Sequence, residues 1–215
     1  MTLCKKLIIA VSTLLLATSA SADSAGNRDK STVLLGLTPV GIHAATLGAP
    51  PVTIGLFGKK WLGADCMIGI DMGSKSYTAT SGTAEASATY SNQGLYGRYF
   101  LGNSFNLSAG YHMRNYSATA TATSGSATST VTLDAKASVL TLGLGNHWMM
   151  DWGLYLGADW VLAGTALSKS TNATVTSSSG GGVSTAKADV EKIGDAMNAV
   201  SAAAGFAVFT IGFAF

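Results

Sequence analysis

Charged residues are scarce in this sequence: Lys, Arg, Asp and Glu make up 11% of its 215 residues, against roughly 25% in soluble globular domains. The mean hydropathy is +0.33. Even so, no run after residue 22 reaches the ~18 apolar residues that identify a transmembrane helix. A hydrophobic chain without a helical span has one good way to cross a membrane, a closed β-barrel, because every backbone polar group must be satisfied within the protein.

Cysteine and histidine are also rare, and their rarity excludes several kinds of site. The sequence has two cysteines, Cys4 and Cys66, and three histidines. Cys4 lies in a segment that we expect to be removed, which leaves Cys66 without an intrachain disulfide partner. One remaining cysteine and three scattered histidines show no metal-ligand spacing. We therefore expect no disulfide, no metal site and no cofactor.

Residues 1–22 have the three parts of a secretory signal peptide. Two lysines form the positive n-region, residues 7–17 form the apolar h-region, and an A-x-A cleavage site ends at Ala22. An uncleaved anchor is the alternative, but this h-region is too short to span comfortably. We expect the exported domain to be residues 23–215, in which 11 basic residues balance 11 acidic ones. Nothing in that balance favours nucleic acid as a partner.

The exported domain divides into eight candidate strands with the period-2 alternation of apolar and polar side chains. They cover residues 31–46, 52–59, 64–77, 90–101, 105–121, 133–147 and 152–167, with a last strand ending at Phe215. Pro39 cannot donate a ladder hydrogen bond, so it marks a bulge or an end of the first strand. Short turns alternate with longer polar connections, such as residues 78–89. This alternation is typical of short periplasmic turns and longer extracellular loops. In the Ala/Ser/Thr-rich stretches 117–132 and 168–179, the alternation of alanine with threonine predicts strands that extend past the membrane into mobile loops. The sequence therefore predicts an all-β fold, an eight-stranded antiparallel transmembrane β-barrel with periplasmic termini.

The last strand, GFAVFTIGFAF, carries no charge and ends on an aromatic residue. One of its faces carries Phe209, Ile211, Phe213 and Phe215 at alternate positions. A buried strand of a soluble sandwich is the alternative for this segment alone. The pattern resembles the closing strand of bacterial outer-membrane β-barrels, where it serves as the assembly signal, although Thr210 stands where that signal usually has glycine.

Architecture, leader and closing strand together resemble the small eight-stranded outer-membrane barrels, the broad class of the OmpA transmembrane domain, OmpX and OmpW. The resemblance implies a location in the bacterial outer membrane, with outer-membrane lipids and the outer-membrane assembly machinery as partners. It implies no particular activity, because no motif specific to one of these families is present. Closure of a barrel removes the sheet edges, so we expect a monomer.

An eight-stranded barrel is just wide enough for side chains to fill its interior. With the apolar face outward, the alternation predicts eight inward-pointing residues: Lys59, Asp65, Asp71, Lys75, Arg98, His112, Arg114 and Asp159. Interior charges must be paired or hydrated. One hypothesis is a salt-bridged plug, in which Asp71 and Asp159 lie near the height of Arg114. The alternative is a polar, solute-selective lumen.

The segment before the last strand predicts an amphipathic helix at about residues 186–200. Its apolar stripe consists of Ala186, Val190, Ile193, Met197 and Val200, at offsets of 4, 3, 4 and 3, which is helical spacing. Because it precedes the last strand, this helix is expected on the outer side of the barrel. A lid or plug of the barrel mouth is the favoured interpretation. A partner-binding helix and a helix without function are the alternatives.

Three functional hypotheses follow. The leading one is a structural or surface-display barrel with a filled interior, and the second is a narrow channel for small, possibly hydrophobic, solutes that is gated by the last outer loop. The third is a lipid-modifying enzyme, which needs a nucleophile with a histidine and an acidic residue. His43, His112 and His147 stand beside no serine in a recognisable motif. We therefore expect no catalytic residue and no enzyme.

Overall fold

A computed structural model describes residues 23–42, 51–178, 183–201 and 205–215. Within these ranges eight antiparallel strands form a closed barrel in sequence order, with β8 paired back to β1. The strands are β1 Val33–Ile42, β2 Val52–Phe57, β3 Cys66–Ser81, β4 Ala84–Phe100, β5 Phe105–Ser124, β6 Ala127–Met149, β7 Leu154–Ser177 and β8 Gly205–Ala214. The helices are α1 Ser24–Lys30, α2 Lys59–Leu62 and α3 Val183–Ser201. The predicted eight-stranded barrel, and the helix before its last strand, are confirmed.

The two ends of the barrel differ. We call the end at which β1 begins and β8 finishes the lower end. It also carries α1, α2 and the short turns at residues 101–104 and 150–153. At the opposite, upper end, α3 connects β7 to β8. None of the described helices is both long enough and apolar enough to cross a membrane.

Five strands, β3 to β7, rise above the other three and form a wall at the upper end. They have 16 to 24 residues, whereas β1, β2 and β8 have 6 to 10. Two-residue turns join β3 to β4 and β5 to β6. Each turn places a glycine at positive φ, Gly82 at 58° and Gly125 at 61°, a conformation that glycine adopts at little cost.

This wall corrects the prediction that residues 78–89 form an outer loop, and it agrees with the prediction that the strands around residues 117–132 and 168–179 extend past the membrane. Residues 78–89 and 117–132 form strands and two tight turns, and residues 168–177 belong to β7. Along residues 84–89 and 117–122, alanine faces inward and serine, threonine or glutamate faces outward, which is a regular period-2 pattern. Threonine suits this position because its branched side chain packs well on a pleated surface. Cross-strand hydroxyl contacts follow, as between Thr121 and Thr130, 3.2 Å apart.

The first strand is irregular where it was expected to be. Its register with β8 shifts between Leu37 and Val40, so the predicted bulge at Pro39 is confirmed. The strand was predicted to continue to residue 46, but residues 43–50, which include His43, lie outside the described part of the chain. The predicted signal peptide, residues 1–22, lies outside it as well.

A band of large apolar side chains faces outward around the lower part of the barrel. It includes Leu35, Leu56, Ile70, Leu95, Leu107, Met113, Leu142, Ile211 and Phe213, all exposed. On β5 the band extends from Phe105 to Met113, which is about 20 Å along the barrel axis at about 3.4 Å per residue and a tilt of roughly 40°. That height is close to the ~25 Å apolar band of membrane barrels. Above Met113 the outward residues of β5 are polar, beginning with Asn115.

The lower interior is packed with apolar and aromatic side chains. Its core consists of Leu34, Phe57, Met67, Tyr96, Phe100, Met149, Tyr155 and Ala214, each at most 8% exposed. The rings of Phe57 and Tyr155 lie 6.3 Å apart between centroids, in a tilted arrangement. This level of the barrel is therefore filled by side chains.

Candidate functional site

The antiparallel register of β3 to β7 arranges the inward-facing residues of the upper interior in layers. The uppermost of three consecutive layers contains Tyr77, Ala88, Ala118, Leu133 and Ala173. The layer below it contains Lys75, Tyr90, Tyr116, Ala135 and Thr171. The third contains Gly73, Asn92, Arg114, Ala137 and Lys169. The interior thus changes from apolar at the top to cationic and hydrogen-bonding below.

A buried ion pair dominates the lower interior. Arg98 and Asp159 form a bidentate pair, with Nη1 to Oδ1 at 2.6 Å and Nη2 to Oδ2 at 3.0 Å. Their side chains are 8% and 6% exposed. Arg98 also donates to the side-chain oxygen of Asn106. Because a buried charge is costly unless it is paired and hydrogen-bonded, each ion here depends on the other.

The same carboxylate holds a histidine and a tyrosine in place. His147 Nε2 lies 3.1 Å from Asp159 Oδ1, and its Nδ1 lies 2.5 Å from the Tyr155 hydroxyl. A carboxylate only accepts hydrogen bonds, so Nε2 donates, and in a neutral ring Nδ1 accepts from the tyrosine. Both nitrogens of His147 are therefore used within a buried chain of hydrogen bonds.

Arg114 lies above this network and has different partners from those hypothesised. Its Nε donates to Asn92 Oδ1 at 3.2 Å, and Asp71 accepts from Thr53. The hypothesis that Asp159 lies near the height of Arg114 is wrong, because Asp159 is bonded to Arg98 further down. By register, Asp159 is level with Asn106 of β5, eight residues from Arg114 along that strand, a separation that alternation alone does not reveal. His112, on the layer below Arg114, is 6% exposed.

The remaining predicted interior residues lie near the ends of the barrel. The prediction that Lys59 points inward is wrong: β2 ends at Phe57, and Lys59 lies in α2, exposed, with Nζ 3.7 Å from Asp29 Oδ1. Asp65 precedes β3 and lies at the lower mouth. Lys75 faces inward by register but is exposed, with Nζ 5.0 Å from the Tyr77 ring centroid.

Helix α1 closes the lower mouth, and sequence reasoning missed it. Its Arg28 is 1% exposed and forms a bidentate pair with Asp65, at 2.8 and 2.6 Å. The Arg28 guanidinium also lies 3.8 Å from the Phe100 ring centroid. Asn27 donates to the Met149 carbonyl at 2.9 Å. The sequence signal for this helix is Asp23, which caps it by accepting a hydrogen bond from the Gly26 backbone N–H.

Helix α3 lies against the inward face of the wall at the upper end. Asn198 donates to the Ser170 carbonyl at 3.1 Å and to Thr171 Oγ1 at 3.0 Å. Thr171 in turn donates to Asp195 at 2.8 Å. Helix and wall are so close that a Cβ at Gly194 would lie 2.4 Å from Thr171 Cγ2. The helix therefore contacts the wall through a small and polar side.

The predicted apolar stripe of α3 does not contact the wall on this small and polar side; it faces a cavity. Val190 and Ile193 line it, Met197 is half-buried, and the side chain of Val200 lies outside the described ones. Between the helix and β3 to β6, this cavity has a volume of about 560 Å³. We call it the apolar cup and define it by Tyr77, Ala88, Ala118, Ala120, Leu133 and Ile193, all of which line it.

The predicted assembly-signal residues lie on the outward face of β8 or at its end. Ile211, Phe213 and Phe215 are 45 to 65% exposed. Phe209 is half-buried, and its ring meets that of Trp160 edge to face with centroids 6.5 Å apart. The Phe215 carbonyl accepts backbone hydrogen bonds from Thr32 and Val33. The chain end is thereby joined to the start of β1.

Among the described residues, no group of three or more His, Cys, Asp or Glu side chains is placed to hold a metal ion. Cys66 is a free thiol at the start of β3.

No family model and no curated protein matches the chain. Among solved structures, the crystal structure of Acinetobacter baumannii CarO aligns with a TM-score of 0.46 and 13% sequence identity, covering 86% of this chain and 97% of that chain. The functional interpretation therefore depends on the geometry of the barrel and its interior.

Proposed function

We propose that this chain is an integral outer-membrane β-barrel that is closed to solutes and anchors an ordered surface structure. The observation that carries the proposal is the filled lower interior. The Arg98–Asp159 pair lies within it, and α1 lies across the mouth beneath it, held by Arg28 and Asp65. A solute crossing the barrel would have to displace the buried Arg98–Asp159 pair and the half-buried Arg28–Asp65 pair, together with the aromatic core around them.

The outer-membrane placement is supported by the surface of the barrel. A band of exposed apolar side chains surrounds it, with polar residues above, and a lipid bilayer is the environment in which such a band is favourable. The expected leader and the aromatic closing strand agree with this placement. The wall and α3 then lie outside the cell, with outer-membrane lipids around a monomer and the assembly machinery acting on β8.

A channel gated by α3 is less well supported. The helix lies at the upper end, whereas the ion pairs and the aromatic core close the barrel at its lower part. Removing α3 would leave that closure in place.

A lipid-modifying enzyme is also less well supported. His147 is 1% exposed and is bonded on both sides by Tyr155 and Asp159, so neither nitrogen is available to a serine. We expect unchanged lipid A and phospholipid profiles when the protein is expressed.

Liposome permeability tests the closed barrel. The mature protein is refolded into liposomes, and the flux of ions, small sugars and small apolar solutes is compared with that of empty liposomes and of a general porin. We expect flux equal to that of empty liposomes, both for the full chain and for a variant in which a short glycine linker replaces residues 183–201. Flux that increases with the amount of full-length protein would contradict the proposal. Flux in the helix-deleted variant alone would favour the gated channel.

A further inference from the structure

The inner and outer surfaces of the upper wall are chemically opposite. Its outer surface carries threonine and serine, whereas the inner surface at the same level carries Ala88, Ala118, Ala120 and Leu133. Anchoring alone does not require an apolar inner surface in the part of the protein above the membrane. Apolar concave surfaces of about 300–1,000 Å³ are the usual form of small-molecule sites, and the apolar cup, at about 560 Å³, lies within that range.

The floor of the apolar cup is cationic. Tyr116, which lines the apolar cup, shares its layer with Lys75, and the next layer down contains Arg114 and Lys169. No acidic residue among β3 to β7 shares these two layers. On α3, the Asp195 carboxylate accepts a hydrogen bond from Thr171 of the upper layer, so three cations face one carboxylate. Asp71 lies one layer further down, level with His112, and accepts a hydrogen bond from Thr53. Asp159 lies deeper and is paired with Arg98. An occupant with an apolar body and a negatively charged head would match both the wall and the floor.

Unpartnered hydrogen-bond donors lie in the same floor. Within the described part of the chain, the Tyr90 hydroxyl and Asn92 Nδ2 are buried without a partner. Asn92 is 1% exposed, and its Oδ1 already accepts from Arg114, so the atom without a partner is the amide donor. A buried donor without an acceptor is costly. A carboxylate offers only acceptors and would supply what these two groups lack.

We propose that the apolar cup binds a single-chain carboxylate amphiphile, a molecule of the long-chain fatty acid class. The alkyl chain lies between α3 and the alanine-rich wall, in contact with Ala118, Ala120 and Ile193. The carboxylate lies at the floor, near Lys75 and Tyr90. From Tyr116 to Ala120, the part of β5 that lines the apolar cup, the wall extends about 14 Å along the strand at about 3.4 Å per residue, enough to contact most of an extended alkyl chain. This binding role goes beyond anchoring and holds whether or not the lower barrel conducts.

Photolabelling locates the occupant. The full-length mature protein is reconstituted in nanodiscs of saturated phosphatidylcholine and irradiated with a diazirine-bearing hexadecanoic acid, and the labelled residues are mapped by mass spectrometry. We expect labels on α3 and on residues 116–133, suppressed by excess hexadecanoate about tenfold more effectively than by hexadecanol. Labels confined to outward residues such as Leu107 and Leu142 would show lipid-phase partitioning only and would overturn the site. Equal suppression by the alcohol would overturn the carboxylate assignment.

Neighbouring residues on opposite faces of β5 supply matched variants. Ala118→Trp places a large ring in the apolar cup, and we expect hexadecanoate affinity to fall at least about tenfold. Ser117→Trp places the same ring on the outer surface, and we expect unchanged affinity. Similar effects of both changes would overturn the proposal, provided that both proteins show the circular dichroism and heat-modified electrophoretic mobility of a folded barrel.

A third variant tests the floor without altering the wall. Lys75→Gln keeps a polar side chain of similar length and removes its charge. We expect hexadecanoate affinity to fall about fivefold, the upper range for an exposed ion pair, and hexadecanol affinity to stay unchanged. Equal changes for both ligands would contradict the placement of the carboxylate near Lys75.

Discussion

Replacing Arg98 with methionine is expected to lower the free energy of unfolding by about 3–5 kcal/mol, the cost of removing one partner of a buried ion pair. The carboxylate of Asp159, 6% exposed in the parent protein, would keep only His147 as a hydrogen-bonding partner among the described residues. Asn106 would lose its Arg98 donor as well. Equilibrium unfolding in guanidinium, followed by tryptophan fluorescence in lipid bilayers, measures the change.

The matched control removes both charges. In Arg98→Met/Asp159→Leu no isolated ion is left behind, and replacing a buried pair by apolar residues of similar volume is often neutral or stabilising. We expect the double variant to recover most of the lost stability. A single variant within about 1 kcal/mol of the parent protein would show that Asp159 is hydrated or neutral, and it would remove the main support for a closed lower barrel.

Placing an arginine at Leu142 is expected to cost about 2–4 kcal/mol in a bilayer, the value for a charge on the lipid face near the membrane midplane. Leu142 is 57% exposed and faces outward on β6, opposite Ala109 of β5. Ala109 lies midway between Phe105 and Met113, which are the ends of the apolar band on β5. Folding titrations into bilayers of the parent protein and of the variant measure the difference.

Thr132 provides the control for Leu142. It faces outward on the same strand, paired with Thr119 of β5, above the apolar band. An arginine there lies in water, and we expect a change within about 0.5 kcal/mol, as for most surface substitutions. Equal costs at Leu142 and Thr132 would contradict the assigned height of the membrane and with it the outer-membrane proposal.

The barrel was predictable because, in the strands that face the membrane, the side chains on the outward face are much more apolar than those on the inward face. Leucine, methionine and aromatic residues alternate with glycine and polar residues along Phe105–Met113, and this contrast reveals both the strand and its orientation. Above the band the contrast nearly disappears, since alanine and threonine differ little in hydropathy. The period of 2 persists in residues 117–132 and predicts strands beyond the membrane, but the Ala/Ser/Thr composition does not reveal where one strand ends and the next begins.

The candidate site was predictable only in part. Alternation identifies which side chains face inward, as for Arg98 and Asp159, but pairing also depends on strand register, which the bulge near Trp160 in β7 alters. Helix α1 has too few residues to be stable by propensity alone and depends on contacts made by Arg28 and Asn27. The apolar cup requires both the wall and α3, so no single segment of the sequence reveals it.

The order of the strands around the barrel also bears on how the chain folds. Every pairing but one joins strands that are consecutive in the sequence, and the exception joins β1 to β8. That seam brings Leu34 beside Ala214, so nearly the whole chain must be arranged before it can form. Loop-closure entropy opposes such distant contacts until the local ones exist. We infer that hairpins form first and ring closure comes last, so that the step that completes the barrel also withdraws Arg98 and Asp159 from water.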